Sequence, residues 1–208
     1  MFVNSVYILD WELSHLGDDK FDAELVRFSG WENTFGLFEI QEYLCLPRNI
    51  FFEANFQTIQ DIDFPWNNVR WTIMSKRMFN LLFPNGSSYC ETISITMIDD
   101  RTFSKDRYNK NGIALPNVEN HDFVAVKFTM YTDALDKEMS MLEIDKESSL
   151  ILNIEYLVLK KTNKKFPTLF RLREYPALLL ISSFGRTVLE NANIKGICFH
   201  DLPDIRFL

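Results

Sequence analysis

The sequence predicts an α+β fold, mostly antiparallel β-sheet with a few short helices. Three observations carry this. Residues 92–98, Thr-Ile-Ser-Ile-Thr-Met-Ile, alternate polar and apolar with period two, as a half-buried strand does. A strand, a serine, a short helical run, an Asn/Gly stop and a further strand occur at 71–98 and again at 177–199, two similar strand-Ser-helix-strand units. No low-complexity stretch or long Pro/Gly/Ser linker interrupts the 208 residues. One α+β domain over residues 1–208 is therefore expected, with 1–63 as an acidic, aromatic-rich part of it.

Taken in order, residues 3–9, Val-Asn-Ser-Val-Tyr-Ile-Leu, have the β-branched and aromatic content of an opening strand. Residues 36–58 mix short apolar runs with Pro47 and predict strand, turn and short strand. Trp71 to Met74 is a short apolar strand, after which Ser75 offers a hydroxyl N-cap. Met78, Phe79 and Leu82 then share one helical face, and Pro84-Asn85-Gly86 ends the helix. Strand 92–98 follows, then a polar, mixed-charge surface loop from Asp99 to Gly112, then a strand from Phe123 to Tyr131. Residues 141–144 and 150–159 read as extended, although Leu150, Ile154 and Leu157 also fit a helical face. The second unit runs from the strand Ala177–Ile181 through a helix capped by Ser182 or Ser183 and a stop at Asn193–Gly196 to the strand Ile197–Phe199.

A hydrophobic fraction of 47% and a charged fraction of 25% belong to an ordinary globular chain and exclude extensive disorder. Nineteen phenylalanines against seven glycines supply large apolar areas for a stiff core or an interface. Three widely spaced cysteines, Cys45, Cys90 and Cys198, form no CxxC and no disulfide framework, which suits a reducing compartment. The N-terminus has no basic n-region, Asp10 and Glu12 interrupt its apolar residues, and no run approaches the roughly 18 apolar residues of a membrane span. A soluble cytoplasmic protein is expected.

The formal charge of −7 is unevenly spread: residues 1–63 hold twelve acids and three bases, net −9, and the remainder is net +2. Interleaved with these acids are Trp11, Phe21, Phe28, Trp31, Phe35, Phe38 and Tyr43. Such a field repels nucleic acid and attracts a basic partner. Acids around large aromatics make a steering rim around hydrophobic anchors, or a solvated face over a core stripe. The candidate partner-binding residues are the aromatics Trp11, Trp31 and Phe35 and the acids Asp18, Asp19, Asp22 and Glu24.

Motifs of catalysis are missing from the sequence. His15, His121 and His200 stand far apart, outside any HxxxH or HExxH pattern, and there is no GxxxxGK[ST], GxGxxG or GxSxG. Asp61/Asp63 and Asp99/Asp100 could serve a carboxylate-dependent hydrolase but mark no third ligand. Lys160, Lys161, Lys164 and Lys165 form a basic turn without the aromatic interleaving of a nucleic-acid site. The reading is no enzyme, no catalytic or metal site and no cofactor.

The order of several landmarks over residues 68–202 resembles a widespread family of bacterial immunity proteins encoded beside polymorphic toxins. They are Trp71-Thr-Ile-Met-Ser75 with its helix through Leu82, Asp133-Ala-Leu-Asp136-Lys-Glu-Met-Ser140, Leu169-Phe170-Arg171-Leu172, and Leu180-Ile-Ser182 through Asn193-Ile-Lys-Gly196-Ile-Cys-Phe199. The resemblance implies a non-enzymatic inhibitor of one cognate toxin and provides no catalytic residues. A basic, nuclease-type toxin would suit the acidic first part, with neither nucleic acid nor membrane as partner. The alternatives are a non-enzymatic adaptor of other purpose and the carboxylate-dependent hydrolase.

Overall fold

Alternating apolar side chains and two serine-capped helices build the structure, a computed structural model that describes residues 5–16, 21–26, 49–160 and 165–202. The fold is α+β, with eleven strands and two α-helices among these residues and predominantly antiparallel pairing. Two compact units share the chain. One comprises residues 1–10, 128–193 and 197–208; the other comprises 11–127 and 194–196. The boundary does not fall at residue 63: the acidic first part supplies strands to both units.

The larger unit is built on a five-stranded sheet. Its strands are β2 (Ala23–Leu25), β3 (Asn49–Ala54), β4 (Ile73–Ser75), β5 (Cys90–Asp99) and β6 (Glu119–Phe128), in the order β2-β3-β5-β6-β4. β2–β3 and β4–β6 pair antiparallel, and β3–β5 pair parallel. The alternation read in residues 92–98 puts Ile93, Ile95 and Met97 into one core with Ile50, Phe52, Trp71, Ile73 and Phe123. Phe52 and Trp71 meet edge to face at 5.9 Å, a favoured aromatic geometry. Helix α1 (Lys76–Leu82) begins where expected: the Ser75 hydroxyl accepts from the Met78 N–H at 3.0 Å. The loop from β5 to β6 mixes charged residues with the exposed Phe103 and Ile113, and includes a short 3-10 turn at Ser104–Asp106.

The smaller unit holds β1 (Val6–Trp11), β9 (Leu169–Arg171), β10 (Leu179–Ser182) and β11 (Ile197–Asp201) in the order β11-β1-β10-β9. A separate two-stranded hairpin pairs β7 (Met141–Ile144) with β8 (Ile151–Tyr156). Its core joins Ile8, Leu135, Ile154, Leu157, Phe170 and Leu180. Helix α2 (Ser183–Asn191) starts at Ser182, whose hydroxyl accepts from the Gly185 N–H, and ends before Asn193 at φ 52°. Gly185 packs against the preceding strand so closely that a Cβ would lie 2.7 Å from Ile181 Cγ1 and 2.8 Å from the Thr168 carbonyl. Both strand-Ser-helix-strand units are therefore present, one in each compact unit. β2, only three residues long, has no sequence signal of its own, and the equally short β9 is marked only by the Leu169–Leu172 landmark.

Candidate functional site

In the larger unit, His15, Phe21, Asp22, Glu24, Glu53 and Asp100 line a cleft of about 230 Å³. Strand pairing gathers these residues from distant parts of the chain. The antiparallel register of β2 and β3 sets Glu24 directly opposite Glu53. The parallel register of β3 and β5 sets Ala54 beside Asp99, and the Asp100 N–H then donates to the Ala54 carbonyl at 3.1 Å. Glu24 and Asp100 are exposed and Glu53 is half-buried. Like charges directly opposite on neighbouring strands repel one another and destabilise the pairing. Arg107 relieves part of this: its Nη2 donates to Glu53 Oε1 at 3.0 Å while its Nε donates to the Thr102 carbonyl at 2.8 Å.

Asp22 lies at the foot of the cleft and differs from the exposed steering acid the sequence suggests. Its side chain is 2% exposed. One oxygen accepts from the Trp66 N–H at 2.9 Å and the other lies 2.7 Å from His15 Nε2. An acid so engaged holds the chain entry to β2 and is in no position to meet a partner. Trp11 is half-buried and stacks on Phe64 at 5.4 Å, with Trp66 against its edge at 4.6 Å; Phe21 continues the cluster to the cleft wall, 5.9 Å from Trp66. Thus Trp11 stands behind the wall that Phe21 presents. Asp18, Asp19, Trp31 and Phe35 lie outside the described residues. Of the candidate binding residues, Glu24 is the exposed acid that the structure places on the cleft, beside Glu53 and Asp100, which the sequence did not connect with it.

The groups weighed for chemistry have other employments. Asp63 is buried and accepts from the Ser75 hydroxyl at 2.6 Å, Arg77 at 3.2 Å and the Lys195 N–H at 3.2 Å. Asp99 turns the chain after β5. Burial pushes its carboxyl up, but hydrogen bonds from Arg101 and Thr102 prevail and hold its pKa below the ordinary value. His121 lies 3.3 Å from Glu119. His200 Nε2 is 3.4 Å from Cys198 Sγ and 3.8 Å from Asp10 Oδ2. Both neighbours approach the same ring nitrogen, whereas a nucleophile relay uses one nitrogen for the thiol and the other for the acid. Among the described residues no group of three His, Cys, Asp or Glu side chains is placed to hold a metal ion. Among the same residues no helix is long and apolar enough to cross a membrane.

The landmark motifs act locally. Gly196 has φ +79°, and a Cβ there would come within 2.7 Å of Ile62 Cγ2 and 2.9 Å of the Phe64 carbonyl, so glycine is required by both space and backbone. Arg171 donates through Nη1 to the Pro176 carbonyl and, at 3.0 Å, to that of Ala177, with its guanidinium 5.4 Å from the Phe128 ring centre. Burial pushes its pKa down to about 10, which leaves it charged at neutral pH. Asp136 and Ser140 brace the base of the β7–β8 hairpin: the Ser140 hydroxyl donates to the Val158 carbonyl at 3.3 Å and accepts from its N–H at 2.9 Å. No family model matches the chain, and no curated protein matches it.

Proposed function

We propose that the chain is an immunity protein that neutralises a cognate toxin by protein–protein contact. The observation that carries the reading is the opposition of Glu24 and Glu53 at the mouth of a cleft shared with Asp100. Two carboxylates in register cost pairing energy in the free protein, and a cationic partner group placed between them turns the cost into attraction. A toxin that attacks nucleic acid needs a basic surface for its phosphate substrate. An acidic cleft competes for that same surface. The motif order over residues 68–202 supports the same conclusion independently of charge. The toxin would be met in the cytoplasm of the producing or kin cell.

Co-expression tests this reading. A toxin encoded beside this chain should kill the host when expressed alone and spare it when the chain is made as well, and the two should co-purify. Continued killing with the chain present at equal or higher level would remove the proposal in favour of an adaptor of other purpose.

A further inference from the structure

We infer that the β7–β8 hairpin is a second docking surface, and that its occupant is a basic protein surface bearing apolar side chains, which under the function proposed above belongs to the cognate toxin. The inner side of the hairpin is accounted for: Ile154 is buried, and Leu142 and Ile151 pack against the core of the smaller unit. Its other side chains are not. Met139 is 65% exposed, Met141 59%, Leu150 65%, Leu152 56% and Tyr156 40%. Met141 and Tyr156 are cross-strand partners, so two of these side chains stand together by register. Exposed apolar side chains occurring singly are ordinary; Met141, Leu150, Leu152 and Tyr156 on one short hairpin, with Met139 at its base, are the usual composition of an interaction surface.

The hairpin is also rigid in the places that matter for binding. At its tip Asp145 Oδ1 accepts from the Glu147 N–H at 3.1 Å and from both the N–H and hydroxyl of Ser148 at 2.7 Å, while the Asp145 N–H donates to the Leu150 carbonyl at 2.8 Å. These hydrogen bonds, those from Ser148 foremost, hold the Asp145 carboxyl below its ordinary pKa. At its base Ser140 bonds Val158 in both directions, and Asp136 Oδ1 accepts from the Glu138 and Met139 N–H groups. A surface held in shape before contact loses little conformational entropy on binding.

Charge selects the occupant. Residues 137–156 hold five acids and two lysines, net −3. A second copy of this chain docked about a two-fold axis would set −3 against −3, which like-charge juxtaposition opposes. A basic partner gains from the same charge, and Met and Tyr side chains suit adaptable apolar contacts.

The test uses the full chain and the toxin encoded beside it. Met141→Glu and Leu152→Glu alter exposed side chains and should leave the melting temperature unchanged. Each should weaken toxin binding at least tenfold, mainly through faster dissociation, and the amides of residues 139–156 should gain hydrogen-exchange protection in the complex. Toxin binding at wild-type affinity by both variants, with no added protection there, overturns the inference and leaves the immunity reading standing. A concentration-dependent dimer dissolved by Leu152→Glu, with toxin binding intact, assigns the face to a second copy and also overturns it. If the wild-type chain does not bind the toxin at all, the immunity reading fails and this assignment fails with it.

Discussion

The Asp63 carboxylate accepts the Ser75 hydroxyl at 2.6 Å, and that same hydroxyl oxygen accepts the Met78 N–H at 3.0 Å. One buried acid thus orients the cap of α1. Its second oxygen takes the Lys195 N–H and Arg77, tying the 194–196 segment to the start of the helix within the larger unit. Asp63→Ala leaves the buried Ser75 hydroxyl and the Lys195 N–H without this acceptor, and the expected loss is about 2–3 kcal/mol. Ser182 caps α2 with a longer bond, 3.3 Å to the Gly185 N–H, and its hydroxyl donates to the Thr168 carbonyl at 3.5 Å where Ser75 has a carboxylate. Ser182→Ala should therefore cost about 1 kcal/mol and Ser75→Ala distinctly more. Urea unfolding of the three variants checks the order; equal losses at Ser75 and Ser182 would show that Asp63 adds nothing to the cap.

The serine caps show what the sequence makes legible. A hydroxyl followed by an apolar face at helical spacing is local information, and both helices start at the expected serine. The strand at 90–99 is legible for the same reason, since its alternation is written in consecutive residues. Residues 150–159 were ambiguous because Leu150, Ile154 and Leu157 fit a helical face. The hairpin explains this. Register shifts between Met141 and Leu142 and between Glu143 and Ile144 make β8 skip residues against β7, so its inward positions Ile151 and Ile154 fall three apart instead of two. The cleft was not legible at all. Glu24, Glu53 and Asp100 meet only through the pairing of β2, β3 and β5, and β2 is too short to announce itself. Asp22 misled because it sits among other acids in sequence, while its partner Trp66 lies 44 residues away.

Arg171 closes the turn that precedes β10 from within. Its guanidinium bonds the Pro176 and Ala177 carbonyls and faces the Phe128 ring. Both carbonyls are served by the single nitrogen Nη1, while the planar guanidinium faces the Phe128 ring; lysine brings a compact ammonium that lacks this plane. Arg171→Lys should destabilise the protein by about 1–2 kcal/mol and Arg171→Ala by about 2–3 kcal/mol, each read from the denaturation midpoint at constant m-value. Loss confined to the alanine variant would mean that charge and stem suffice and that the planar guanidinium has no role.

Asp99 gives a pH signature. Its folded-state pKa is depressed below the ordinary 3.8: burial pushes it up, but the Arg101 and Thr102 hydrogen bonds push it down further. A carboxyl depressed on folding contributes stability that is fully present above the unfolded-state value and is lost as pH falls through the folded one. The stability difference between wild type and Asp99→Asn should therefore be constant from neutrality down to about pH 4–5 and shrink below that. Thermal melts across pH 2.5–7 (about 0.5 pH apart) measure it. A gap that widens on acidification would contradict the depressed value.

The acidic cleft makes a kinetic prediction that separates steering from solvation. Glu24 and Asp100 are exposed and lie outside the buried core of the larger unit, so Glu24→Lys and Asp100→Lys should fold as wild type does. Glu53 is a poorer probe because its reversal also releases Arg107, whose side chain is 12% exposed. Asp22 is poorer still: lysine in place of a carboxylate 2% exposed, bonded to the Trp66 N–H, should unfold the entry to β2 before binding can be measured. The double variant Glu24→Lys/Asp100→Lys changes the cleft by four charge units. At low salt its association rate with the toxin should fall by about tenfold or more, with a smaller change in dissociation. The deficit should shrink as ionic strength rises, because exposed charges are screened over about 8 Å at physiological salt. A rate unchanged at low salt in a folded double variant would mean that Glu24 and Asp100 serve only to hydrate the surface. The opposition of Glu24 and Glu53 would then have no bearing on binding, and the docking face would have to be sought away from this cleft.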